Sequence, residues 1–229
     1  MSLSEEEARH LRDVLRLRAG EEARVFDGEG REFLCVLVGA GGRKEAARLE
    51  VRGEVEPPSP ESPLELTLAV ALLKGEKFDL VVQKATELGA ARVVPVETKR
   101  ADVRLRDERD ASKRVERWRR LALEAAKQSG RARVPKVEAP VSFNNFVGRA
   151  EGPRVLFAEG GGAPLDSLTI EPGPVNALVG PEGGWEQEEM ERARAHGWQV
   201  VTLGGRTLRA ETAAIAVCAL LQHLFGDLK

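Results

Sequence analysis

Residues 175–185 read VNALVGPEGGW, and residues 199–213 read QVVTLGGRTLRAETA. Each stretch begins with a short apolar run, continues into glycines and ends where apolar residues take up helical spacing. A strand that passes through a tight turn into a helix, twice in succession, is typical of a parallel sheet covered by helices. These two stretches therefore predict an α/β fold.

The same alternation extends back to residue 64. Apolar runs predict strands over residues 64–72, 93–96, 154–158, 175–179 and 199–203. Helical spacing predicts helices over residues 78–88, 115–125, 185–196 and 212–225. Gly89 and Gly130 follow the first two helices, where a glycine commonly ends a helix. Because the strands are apolar on both sides, we expect a parallel sheet with helices on both faces.

The chain before residue 56 follows a different pattern. A helical opening over residues 4–15 is followed by short predicted strands at residues 23–27, 32–38 and 46–52, which form a small β unit. Residues 56–63 read EPPSPESP, with four prolines in eight positions, and such a segment favours a stiff extended linker. We therefore predict one domain over residues 1–58 and a second over residues 59–229.

The composition excludes several classes of protein. Of the 229 residues, 42% are hydrophobic and 31% are charged, as in globular rather than disordered chains. The longest uncharged apolar stretch, residues 212–226, is shorter than the roughly 18 residues of a bilayer helix. With no signal-peptide pattern, we expect a cytoplasmic protein without a membrane partner. Two distant cysteines and three histidines without ligand spacing predict neither a disulfide framework nor a metal site.

The positive charges are concentrated in one part of the chain. The net charge is −2, yet residues 99–136 contain fourteen Lys and Arg against six Asp and Glu. A basic band on an otherwise acidic protein favours a polyanionic partner, because phosphate neutralisation releases counterions. The same run also fits a solvated helix face with i, i+4 ion pairs such as Asp110 with Arg114. Composition leaves both interpretations open.

The segments that directly follow strands are the candidate ligand loops. In open α/β sheets, ligands bind outside the carboxyl ends of the strands, and glycines there let a backbone approach a flat ligand closely. The same glycines also fit simple tight turns. Dinucleotide-binding and Walker-type glycine motifs are missing from the sequence, as is the Gly-x-Ser-x-Gly elbow, so these enzyme classes lose their main support.

Five motifs occur together in chain order. The late ones are Gly180-Pro181-Glu182-Gly183-Gly184 and Leu203-Gly204-x-Arg206-x-Leu208-Arg209-x-Glu211-Thr212-Ala213. The earlier ones are His10-Leu11-x-x-Val14-Leu15-Arg16-Leu17 with Asp27-Gly28-x-Gly30, Lys74-Gly75-x-Lys77 through Lys84-Ala85-Thr86-Glu87-Leu88-Gly89, and Glu124-Ala125-Ala126-x-Gln128-Ser129-Gly130-Arg131. In this combination the chain resembles the ribosomal RNA small subunit methyltransferase E family of the SPOUT superfamily over nearly its whole length.

The resemblance implies an N-terminal PUA-like β-barrel that binds RNA and a C-terminal α/β methyltransferase domain tied in a trefoil knot, acting as a homodimer. It further implies S-adenosylmethionine as the cofactor and N3 of a uridine in 16S rRNA of the small ribosomal subunit as the acceptor. Ribose 2′-O methylation on the same fold and a non-enzymatic RNA-binding assembly factor remain alternatives. The resemblance places these residues against the cofactor: Phe157, Ala158, Glu159, Val179, Gly180, Pro181, Glu182, Gly183, Gly184, Leu203, Gly204, Leu208, Arg209, Thr212 and Ala213.

Roles for individual residues follow from this implied reaction. Leu203 and Leu208 are expected to sandwich the adenine, although both also fit an ordinary core. Removing the N3 proton of uridine leaves negative charge on the ring, so Arg209 is expected to stabilise the anion. Glu211, or else Glu182, is expected to take the proton; alternatively, Glu211 and Thr212 only cap the last helix.

The partners follow from the same implied fold. The leading RNA contacts are expected to be Arg16, Arg100, Arg114, Arg117, Arg120 and Arg131. The helix over residues 212–225 is apolar over too wide a face for a surface helix, so we expect it to be buried between the sheet and a second subunit.

Overall fold

The computed structural model describes residue 3, residues 5–39 and residues 47–229. The predicted starts of the first helix at Ser4 and of the third strand at Ala46 lie outside these residues. The chain divides into two compact units. One comprises Met1–Pro60 with Gly130–Arg133, and the other comprises Glu61–Ser129 with Val134–Lys229.

The first unit contains an antiparallel sheet. Helix α1 (Glu5–Arg9) continues into a π-helical turn, and three strands follow: β1 (Glu22–Phe26), β2 (Glu32–Gly39) and β3 (Arg48–Val55), in the order β1-β2-β3. Alternate residues of β2, Cys35 and Leu37, are buried with Leu49 of β3 and Leu11. Within the described residues this sheet has three strands, and the closed barrel implied by the resemblance stays a prediction.

The second unit alternates strands and helices. Its strands are β4 (Leu64–Ala71), β5 (Arg92–Glu97), β6 (Lys136–Val137), β7 (Val141–Ser142), β8 (Arg154–Phe157), β9 (Ala163–Pro164), β10 (Gly173–Val179) and β11 (Gln199–Thr202). Its helices are α2 (Lys77–Glu87), α3 (Glu108–Ser129), α4 (Phe143–Arg149), α5 (Gln187–Ala195) and α6 (Ala210–Phe225), with a short 3₁₀ turn at Leu165–Ser167.

The strands of the second unit form one parallel sheet. The order is β6-β5-β4-β10-β8-β11-β9, with β7 also paired to β5, and every recorded pair is parallel. In β10, Ala177 packs with residues of α2 and α6, whereas its neighbour Leu178 packs with Met190 of α5. Alternate side chains thus enter two cores on opposite sides, which confirms the predicted parallel sheet with helices on both faces.

Several element bounds differ from the prediction for identifiable reasons. Helix α5 begins at Gln187 rather than residue 185, because Glu186 and Glu189 form a capping box there. Helix α4 begins after Ser142, whose hydroxyl accepts a bond from the amide of Asn145 at 3.3 Å. Its seven residues and the two-residue strands β6, β7 and β9 are too short to create a readable period.

Candidate functional site

The neighbouring strands β10, β8 and β11 end at the same edge of the sheet, because parallel strands share one direction. The loops that follow β8, β10 and β11, called the first, second and third loops in chain order, come together around a cavity of about 600 Å³. That volume lies within the range of small-molecule sites. The second unit thus carries a ligand-sized cavity at the edge where open α/β sheets bind their ligands.

Most of the residues that the sequence analysis placed against a cofactor line this cavity. They are Phe157, Ala158, Glu159, Val179, Gly180, Pro181, Glu182, Gly183, Gly184, Leu203, Gly204, Leu208, Arg209 and Ala213. Thr212 is not part of the lining; it lies in the first turn of α6 with an exposed side chain. Cavity residues that the sequence analysis missed include Trp185, Met190, Arg194 and Arg206.

Trp185 joins two of the loops around the cavity. Its indole Nε1 donates to the carbonyl oxygen of Phe157 at 2.8 Å, and its ring packs against that of Phe143 at 5.5 Å between centroids. Gly180 makes room for the indole, since a Cβ there would lie only 2.9 Å from Cε2 of Trp185. This close approach explains one glycine of the motif by packing within the protein rather than by a ligand.

Arg100 lies against the second loop of the cavity. Its guanidinium donates to Glu186 Oε1 at 2.7 Å and to the carbonyl oxygen of Gly183 at 3.2 Å. The preceding residue, Lys99, donates its backbone amide to buried Glu189 at 3.0 Å. The segment after β5 therefore holds the loop after β10 by hydrogen bonds. Arg100 lines the cavity, and its guanidinium already bonds to groups of the protein.

The two candidate proton acceptors are brought together by a lysine. Lys77, the first residue of α2, donates through Nζ to Glu182 Oε1 at 2.8 Å and lies 3.6 Å from Glu211 Oε2. Glu182 lines the cavity, whereas Glu211 is not part of the lining and its side chain is only 12% exposed. Sequence reasoning quoted Lys77 within a motif but gave it no role. Its position after β4 could have indicated a role, because β4 ends at the same sheet edge as β10, beside the cavity.

The charges in this cluster affect its titration. Burial on its own would raise the pKa of Glu182, but the hydrogen bond from Lys77, aided by a backbone amide and the charges of Lys77 and Lys74, leaves the pKa of Glu182 below its ordinary value. The hydrogen bond to Glu182 raises the pKa of Lys77. Both groups are therefore charged near neutral pH.

Helix α6 begins directly after the third loop. Its N-cap residue is Arg209, which makes no side-chain capping bond and is exposed at the cavity. Glu211 lies in the first turn, where an acidic side chain is favourable, and it also faces Lys77. Glu211 therefore occupies a position that favours an acidic side chain and also belongs to the cluster with Lys77, while the N-cap position itself is held by Arg209.

The predicted RNA contacts differ in their surroundings. Arg114 pairs with Asp110 at 3.4 Å, and Arg117 pairs with Asp79 of α2, so acids of the chain already engage both. Arg120 is exposed on the same helix, α3. Arg109 and Lys113 are exposed there too, at helical spacing from Arg120.

Two of the predicted RNA contacts belong to the first unit. Arg16 is exposed and has a φ of 54°, which is uncommon for a residue other than glycine. Arg131 differs from the prediction, because it is buried, with 7% exposure, and leaves little surface for a phosphate. Sequence reasoning could not separate it from the exposed arginines of α3, Arg117 and Arg120, since burial depends on tertiary packing.

Two absences bear on the kind of site. In the described part of the chain, no group of three or more His, Cys, Asp or Glu side chains is placed to hold a metal ion. Among the helices built from described residues, none combines the length and the apolar character needed to span a membrane.

Known proteins are similar to this chain over nearly all of its length. The RNA methyltransferase domain family matches residues 60–222, and the RNA methyltransferase PUA domain family matches residues 3–50. Ribosomal RNA small subunit methyltransferase E of Synechocystis sp. is 35% identical, covering 98% of this chain and 73% of its own length. The enzyme of that name from Bacillus subtilis is 30% identical, covering 97% and 89%.

A solved structure extends the similarity to three dimensions. Ribosomal RNA small subunit methyltransferase E from Neisseria gonorrhoeae, bound to S-adenosylmethionine, is 34% identical and superimposes with a TM-score of 0.89, covering all of this chain and 93% of its own. The match to the PUA domain family confirms the PUA-like character predicted for the N-terminal part. The α/β unit, its cavity and these similarities together lead to one conclusion: the chain belongs to the ribosomal RNA small subunit methyltransferase E family.

Proposed function

We propose that this protein uses S-adenosylmethionine to methylate 16S rRNA in the small ribosomal subunit, at N3 of a uridine. The observation that carries the proposal is the cavity at the carboxyl ends of β8, β10 and β11, lined by the residues that the family motifs place there. The cofactor bound to the Neisseria gonorrhoeae relative supports the choice of ligand.

The residues around the cavity fit S-adenosylmethionine. Apolar side chains of Val179, Leu203 and Leu208 suit a flat adenine, and neighbouring backbone groups suit its polar edge. Gly204 has a φ of 125°, which other residues rarely adopt, and a Cβ there would meet no atom within 4 Å. The third loop thus has open space at Gly204, where its backbone would approach a bound ligand closely.

The chemistry of the proposed step assigns roles to cavity residues. When bound, S-adenosylmethionine supplies a methyl group whose bond to sulfur breaks as the bond to N3 forms, and sulfur keeps the electron pair. The protein's part is to align the acceptor and to manage one proton and one negative charge. Arg209, exposed at the cavity, is the group that stabilises the uridine anion. Of the two carboxylates, Glu182 lines the cavity, which supports it over Glu211 as the group that meets the substrate.

The RNA surface in this proposal is revised by the structure. In the second unit the RNA surface includes three exposed residues of α3, namely Arg109, Lys113 and Arg120. Arg114 and Arg117 also belong to this surface, although each already pairs with an aspartate of the chain. In the first unit it includes Arg16, in keeping with the match to the PUA domain family. Phosphate contacts of this kind would position the RNA without reading its sequence.

A homodimer, a trefoil knot of the SPOUT type and a cytoplasmic location also belong to the proposal. Helix α6 supports the dimer, because Leu224 is 46% exposed and Ile215 and Leu220 are only partly buried on the described chain. A second subunit on this face would cover these apolar side chains. Light scattering at micromolar concentration tests this, and a fully active monomer would contradict it.

The methylation itself is tested on small ribosomal subunits that lack the modification. We expect incubation with the protein and S-adenosylmethionine to produce 3-methyluridine, detected by mass spectrometry of the digested nucleosides. A 2′-O-methylated nucleoside would instead identify the ribose methyltransferase. Lack of cofactor binding in calorimetry, with and without rRNA, would favour the assembly factor.

A further inference from the structure

A lysine connects two acidic residues that reach the cavity region from different loops. Lys77 begins α2, Glu182 follows β10, and Glu211 lies in the first turn of α6. The distances from Lys77 Nζ are 2.8 Å to Glu182 Oε1 and 3.6 Å to Glu211 Oε2. A single ammonium group is therefore shared by two carboxylates that the chain brings together from distant positions.

The two carboxylates have different surroundings. The Glu182 side chain is 27% exposed and lines the cavity. In contrast, Glu211 Oε2 is buried and accepts no hydrogen bond from the described residues, so the ammonium of Lys77 is the positive group that faces it. An ionised oxygen buried without such a partner is costly, because it loses its hydration. Lys77 therefore connects a buried carboxylate, Glu211, to a carboxylate that lines the cavity, Glu182.

We infer that Lys77 is a positioning residue of the reaction, anchored by Glu211 and holding Glu182 as the carboxylate that accepts the N3 proton. The inference rests on the function proposed above. The proton moves from N3 to Glu182, the electron pair left on N3 forms the new bond to the methyl carbon as the bond from that carbon to sulfur breaks, and no further reactant is needed. A base oriented by a second group, which is itself held by a third, is a recurrent arrangement in active sites. Lys74 adds a second positive charge near Glu182.

The inference is tested first without cofactor or substrate. The carboxyl carbon of Glu182 is followed by ¹³C NMR against pH in the free protein, with Glu182→Gln used for the assignment. We expect Lys77→Met to shift the midpoint of Glu182 to higher pH and Lys77→Arg to restore it in part. Lys84→Met is the matched control, because Lys84 lies on the same helix and pairs with Glu87 at 2.7 Å. An unchanged midpoint in Lys77→Met would overturn the inference.

The second test measures single-turnover methyl transfer to small subunits at saturating S-adenosylmethionine. We expect Glu182→Gln to reduce the rate about a hundredfold or more, as for a lost general base. Lys77→Met should reduce it about tenfold at neutral pH and move the acidic limb of the pH profile upward, with partial rescue by Lys77→Arg and no change in Lys84→Met. Glu211→Gln should act in the direction of Lys77→Met. Equal rates and profiles for wild type and Lys77→Met would refute the inference.

The proposed function and this inference fail in different ways. If the wild-type protein transfers no methyl group to small subunits, the proposed function is wrong, whereas the NMR titration still reports whether Lys77 controls Glu182. If the wild type is active and Lys77→Met keeps its full rate and pH profile, the function stands and the positioning role is wrong.

Discussion

Replacing Gly180 by Ala tests how the loops around the cavity are held together. The added methyl group would lie 2.9 Å from Cε2, 3.1 Å from Nε1 and 3.2 Å from Cζ2 of Trp185. Ordinary contacts between heavy atoms are about 3.5 to 4.0 Å, so the indole has to move by about half an ångström or more. That movement pulls Nε1 away from the carbonyl oxygen of Phe157, to which it donates at 2.8 Å.

The size of the effect follows from these two changes. Adding a methyl group to a packed position costs about 1 to 3 kcal/mol, and leaving a hydrogen-bonding group without its partner costs about 1 to 3 kcal/mol. Because Trp185 is partly exposed and can relax, we expect the free energy of unfolding to fall by about 2 to 4 kcal/mol. Cofactor affinity should fall at least about tenfold, which corresponds to about 1.4 kcal/mol, because Phe157, Gly180 and Trp185 all line the cavity.

The assay combines urea denaturation with calorimetry of S-adenosylmethionine binding. Gly205→Ala is the matched control, because Gly205 lies in the third loop outside the cavity lining and its added Cβ would meet no atom within 4 Å. We expect this control to resemble wild type in both measurements. Wild-type stability and affinity in Gly180→Ala would refute the reasoning, and so would equal losses in the two variants.

Three further predictions concern charge. Arg209→Ala should lower turnover by about tenfold to a thousandfold while RNA affinity changes little; a loss confined to RNA affinity would move Arg209 to the phosphate-binding set. Replacing Arg109, Lys113 and Arg120 together by Ala should weaken binding of all RNA sequences and flatten its salt dependence, with S-adenosylmethionine affinity unchanged in calorimetry. Since the pKa of Glu182 lies below its ordinary value of 4.5, its ionised form stabilises the fold above that pH, and this contribution is lost as the pH falls through the lower folded pKa. Denaturation curves between about pH 5 and 3 should therefore show a smaller loss of stability for Glu182→Gln than for wild type, and equal losses would contradict this.

The sequence was most informative where apolar periodicity is strong. The run Val175–Val179 is apolar apart from Asn176, and the run Gln199–Thr202 has two buried valines, Val200 and Val201, at its centre. Both runs are strands of the parallel sheet, as predicted. The end of α2 was also predictable, since Gly89 follows it with a φ of 81°. Helix α4 was not, because its apolar residues Phe143, Phe146 and Val147 span little more than one turn and the other four are two asparagines, a glycine and an arginine.

Prediction of the site depended on where its residues lie in the chain. Leu203, Gly204 and Leu208 lie in the loop that follows β11, so the fold class places them at one sheet edge, and they line the cavity. The shared contact of Lys77 with Glu182 and Glu211 joins positions more than a hundred residues apart in sequence, which no local pattern encodes. The same holds for Arg131, whose burial depends on tertiary packing.

The order of strands in the large sheet also limits when this protein becomes functional during its synthesis. Strand β4 pairs with β10, about a hundred residues further along, and α6 packs on both. A nascent chain therefore exposes one side of β4 until residue 179 has left the ribosome, and it has no complete cavity until Ala213 has followed. Such late, non-local pairing favours slow folding and leaves apolar edges open to chaperones in the interval.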